Sequence, residues 1–81
     1  MKEFEIAKIE TAKKEIINTF IINRVSISRN GLLKCLADHG ELYSKGLLSY
    51  KNKKLLDTAV IEIWNNEFKT DLKTTDIISN L

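Results

Sequence analysis

Between Leu42 and Leu56 the chain carries four lysines and no acid, with Tyr43, Ser44, Ser49, Tyr50 and Asn52 set among them. Ammonium groups neutralise phosphates, while hydroxyls and amides donate and accept at base edges. Such a set suits binding rather than bond-breaking. Nucleophilic catalysis needs a base beside the nucleophile and a third group orienting that base. One cysteine, Cys35, and one histidine, His39, offer no such arrangement. Cys35 falls beside Leu32 and Leu36 and reads as a small core residue. His39 reads as a capping or surface residue in a helix's last turn. Trp64 lies within an apolar stripe and belongs to a core or interface. There is no glycine-rich phosphate loop and no metal-ligand spacing. No enzyme, cofactor or metal is expected.

The charge supporting the binding reading is unevenly spread. Net charge is only +2, but residues 16–56 hold Arg24, Arg29, Lys34, Lys45, Lys51, Lys53 and Lys54 against Asp38 and Glu41, a local +5. Residues 1–15 balance, and residues 57–81 carry −3. A positive middle segment can meet phosphates or an acidic protein, or simply face water. At 81 residues, 43% apolar and 30% charged, the chain suits one small soluble domain rather than a disordered segment. A core of that size contributes only a few kcal/mol, which favours assembly with a partner. The N-terminus "MKEFEIAKIE" has no apolar signal core, and no run is long enough to span a bilayer. With one cysteine, a reducing, cytoplasmic setting is expected.

The elements that must position these residues are helical. Ile6, Ile9, Ile16 and Phe20, with Ala12 between them, predict a helix over about 2–22. In "RVSIS" apolar and polar residues alternate as in a short strand, and the segment reads as a loop. A short second helix is expected from an N-cap at Ser28 or Asn30, with Leu32, Leu33, Leu36 and Ala37 on its inner face and Gly40 ending it. A third is expected to start at Ser44 and carry Leu47 and Leu48, with Gly46 tolerated in its first turn. A fourth, capped by Asn52 and spanning about 53–68, carries the stripe Leu55, Leu56, Ala59, Val60, Ile63, Trp64 and Phe68. The tail, with Ile77, Ile78 and Leu81, predicts one further turn. The expected fold is all-α: a single domain of four to five helices, with a helix-turn-helix at about 31–50.

A helix-turn-helix needs a short helix, a turn and a second helix whose N-terminal face reaches the bases. The stretch "LLKCLADHGELYSKGLLSYKNKKLLDTAVIEIW" resembles the DNA-binding domain of TetR-family repressors. Leu33, Leu36 and Ala37 match that family's second helix, and Gly40 its turn. Ser44, Lys45, Gly46 and Leu47 match the start of its recognition helix, and Lys53, Leu55 and Leu56 the helix that follows. Ile16 and Ile17 would then lie on the domain's first helix. A lesser resemblance, to ribbon-helix-helix proteins, rests on "RVSIS" as strand and "LLDTAV" as second helix.

These readings give two expectations of different classes. One is a small regulator that binds double-stranded DNA. Lys45, Lys51, Lys53 and Lys54 would meet phosphates, with Arg29 in the same basic set, and Ser44, Leu47 and Tyr50 would approach base edges. Ile63, Trp64, Phe68, Ile77 and Ile78 would build its homodimer. The other is a small helical inhibitor that blocks a partner protein through its surface. Salt dependence of binding separates the two.

Overall fold

Three helices build the chain in the computed structural model, which describes residues 3–73: α1 (Glu3–Ile22), α2 (Arg29–Ser44) and α3 (Tyr50–Phe68). The all-α expectation is met, with no strand among the described residues. The count of four to five helices is not. The expected second helix does not stop at Gly40, the expected third does not form, and the tail expected to add a turn lies outside the described residues.

α3 packs against both α1 and α2 and forms the centre of the molecule. Toward α1, its Ala59 joins Ile9 and Ala12, with Leu55, Leu56 and Ile16 partly buried around them. A second cluster gathers Phe20, Leu32 and Leu36 around Val60, Ile61, Ile63 and Trp64. The 3.6-residue stripe expected on α3 thus faces inward. Ile61 and Asp57, which lie off that stripe, are also buried, because α3 has a neighbour on two sides. On α1 the stripe begins at Ile9, since Ile6 remains exposed.

The helix ends explain the altered count. Ser28 caps α2, its Oγ accepting from Gly31 N at 3.0 Å. α2 then runs through Gly40, a cost of about 1 kcal/mol relative to alanine. That cost is offset by the added turn, by the Lys45–Glu41 pair at 2.8 Å, and by His39, which holds this part of α2 against α3. Termination comes at Gly46, whose φ is +75°. Gly46 N donates to Tyr43 O at 3.0 Å and Leu47 N to Leu42 O at 2.9 Å, the paired bonds of a Schellman motif. A left-handed residue at 46 is incompatible with a helix starting at Ser44. The turn continues to Ser49, which caps α3 by accepting from Asn52 N at 3.2 Å. Asn52, the expected cap, lies inside the helix. α1 ends by the same motif, with Arg24 at φ 57° and Val25 N donating to Phe20 O at 3.1 Å.

Candidate functional site

The expected DNA-binding residues do not form one surface. Arg29 stacks over the Phe68 ring, 4.4 Å from its centroid. It therefore lies near the C-terminal end of α3, about 25 Å along that helix from Lys51 at 1.5 Å per residue. Lys53 turns inward, and its Nζ donates to Asp57 Oδ2 at 2.8 Å. Lys45 pairs with Glu41 on the surface. Lys51 and Lys54 are exposed on the first turns of α3 beside Tyr50 and Asn52. Ser44 is the last residue of α2, and Leu47 lies in the turn.

Past its first turns α3 is largely enclosed, since Asp57, Ala59, Val60, Ile61, Ile63 and Trp64 are all buried. Ile63 and Trp64, expected at a dimer interface, fill the core of the single chain. Phe68 is partly buried between Arg29 and Trp64, its ring 5.5 Å from the indole. Ile77 and Ile78 lie outside the described residues.

At the corner where α2 turns into α3 the structure gathers four large apolar residues that remain open to water. Leu42 and Tyr43 come from the last turn of α2, Leu47 from the connection, and Tyr50 from the start of α3. Leu47 is 71% exposed, Tyr50 64% and Tyr43 45%. The two tyrosine rings meet edge-on with centroids 6.1 Å apart. The Schellman bonds fix Leu47 over the end of α2 without covering it. Tyrosine of this kind presents a large contact area at low cost in conformational entropy and is enriched at binding hot spots. The spacing hid this grouping, because Leu47 and Tyr50 read as base-contacting residues and Leu42 fell in the turn expected between Gly40 and Ser44. The detectable signal was Gly46 with apolar residues at the two positions that a Schellman motif brings together.

Behind this corner lies a charged group that the sequence concealed. Asp57 is 1% exposed. Its Oδ1 lies 2.9 Å from His39 Nδ1, and its Oδ2 accepts from Lys53. Burial pushes the Asp57 carboxyl up, but the hydrogen bonds from His39 and Lys53 and their charges outweigh it, so the net displacement is downward. An ionised carboxylate only accepts, so His39 Nδ1 carries a proton and donates. His39 is therefore not the surface cap expected of it. Cys35 packs against the core, and burial, with Asp38 adding, pushes its thiol up. It stays a protonated thiol at neutral pH, which is a poor nucleophile.

Among the described residues no group of three or more His, Cys, Asp or Glu is placed to hold a metal ion. Nor, among them, is any helix long and apolar enough to cross a membrane. No family model matches the chain, and neither a curated protein nor a solved structure resembles it significantly.

Proposed function

We propose that this protein is a non-enzymatic binding module that acts by covering a surface of a partner protein, docking through the α2–α3 corner. The observation that carries this reading is the exposure of Leu42, Tyr43, Leu47 and Tyr50 at one helix-to-helix corner, with the two tyrosine rings in edge-on contact. Exposed apolar surface concentrated in one place marks an interaction site. Lys51, exposed next to Tyr50 and in no ion pair among the described residues, favours an acidic partner.

The DNA-binding regulator remains the second reading. Lys51, Asn52 and Lys54, exposed on the first turns of α3, favour it, since the N-terminal end of a recognition helix is the part that meets DNA. It has fewer available cations than the sequence suggests, with Lys53 held by Asp57 and Arg29 at the far end of α3.

One comparison tests both readings. Immobilised protein is offered nuclease-treated cell lysate and, separately, fragmented genomic DNA across a salt series. A protein retained by the parent and lost with Leu47→Ser and Tyr50→Ser is the expected result. DNA retention with a steep salt slope, lost with Lys51→Ala and Lys54→Ala but kept with Leu47→Ser, overturns the module and establishes the regulator.

A further inference from the structure

Beside Tyr50 the first turns of α3 also form one wall of a groove whose other wall is α1. Its deeper part, of about 280 Å³, has Ile9 and Leu55 as an apolar floor, with Lys8, Lys51, Lys54 and Glu5 around them. A shallower part of about 390 Å³ lies alongside, sharing Lys8 and Leu55 and extending to Ala12, Leu56 and Glu15. We infer that this groove takes an acidic amphipathic helix of the partner, with apolar side chains on either side of Leu55 and carboxylates toward Lys51 and Lys54. The inference rests on the protein-binding reading and extends its surface from the corner onto the α1–α3 face.

Three features select that occupant. Lys8, Lys51 and Lys54 line the groove against Glu5 and Glu15; of these lysines Lys51 and Lys54 form no ion pair among the described residues, which leaves two ammonium groups along the α3 wall. Two helices flanking an apolar trough form the arrangement in which a third amphipathic helix lays down its apolar face. A nucleic-acid backbone would satisfy the lysines but leave Ile9 and Leu55 against a polar surface.

The probe is a synthetic helical peptide with leucines at i, i+4 and i+7 flanked by glutamates, titrated into the full chain and followed by methyl and amide NMR. A control peptide replaces each glutamate with lysine, and a short DNA duplex is the second control. The expected result is a set of shifts at Ile9, Leu55 and Leu56 for the acidic peptide alone. Affinity should fall about tenfold in the exposed-site double variant Lys51→Glu/Lys54→Glu, whose unperturbed spectrum elsewhere shows that it folds. Shifts confined to Tyr43, Leu47 and Tyr50 overturn the groove while leaving the corner intact. Equal binding of the lysine peptide, absence of binding, or the same methyl shifts with the duplex also overturn it. The partner-capture comparison with Leu47→Ser is independent of all these outcomes, so failure of the groove and failure of the module remain distinguishable.

Discussion

Asp57 shows how one residue sets a condition on the whole fold. A carboxylate without access to water is tolerated only with partners, and His39 and Lys53 supply them at 2.9 and 2.8 Å. Because the folded state holds the Asp57 carboxyl below its ordinary value, the unfolded chain takes up a proton more readily. The stabilisation is therefore complete above the usual carboxylate range and is lost as pH falls through the folded-state value. Urea titrations at pH 7 and pH 3 should show a loss of stability in the parent that is smaller in Asp57→Asn. Asp57→Ala at pH 7 should cost about 3 kcal/mol, because it leaves a lysine and a histidine partly buried without their anion. In sequence Lys53 reads as a phosphate contact, and this aspartate has no role beyond its charge.

Among the elements, the three glycines have separate roles, and one substitution distinguishes them. A Cβ at Gly31 would lie 2.7 Å from Phe20 Cε1 and 3.1 Å from Ser28 Oγ. Phe20 is buried and cannot retreat, so Gly31→Ala should lose about 1 kcal/mol or more despite alanine's better helix propensity. Gly40 lies inside α2 with nothing within 4 Å of such a Cβ, and Gly40→Ala should gain about 1 kcal/mol. At Gly46 space is available but φ is +75°, so Gly46→Ala should lose about 1 kcal/mol to backbone strain. Arg24 has the same kind of conformation without glycine's freedom, at φ 57°. Arg24→Gly should therefore be neutral to stabilising by about 1 kcal/mol. Thermal or urea midpoints of these four variants give the order directly. If Gly40→Ala proved the most damaging, α2 would end where the sequence alone suggested.

For the whole molecule, the central place of α3 divides its residues between those enclosed in the fold and those left at the surface. Trp64 is largely buried beside Phe68 and belongs to the main cluster, so Trp64→Ala should cost about 3–5 kcal/mol. That approaches the total stability of a domain this small, and circular dichroism should register unfolding. Leu47→Ser should move the urea midpoint by about 0.5 kcal/mol or less while removing partner binding. A large stability loss at Leu47 would instead make the exposed corner part of the fold rather than a docking surface.

Much of the architecture was legible locally. The 3.6-residue recurrence of Ile9, Ala12, Ile16 and Phe20, and of Ala59, Val60, Ile63 and Trp64, determined that α1 and α3 are helices and which faces turn inward, because burial of an apolar stripe has few alternatives. The loop at 23–28 was read despite its strand-like alternation, and of the two expected caps, Ser28 and Asn30, the structure takes Ser28. The choice among equivalent local signals was left to tertiary structure. Gly40 was expected to end α2, with Ser44 and Asn52 starting the helices after it, whereas Gly46 and Ser49 take those roles in the structure. Contacts distant in sequence favoured one solution: His39 reaching Asp57 across 18 residues, and Phe20 closing over Gly31. Those contacts also determined which lysines face water and which apolar residues stay uncovered. Lysines at neighbouring positions are chemically alike until a second helix arrives beside them, which is why Lys53 became structural while Lys51 and Lys54 stayed at the surface.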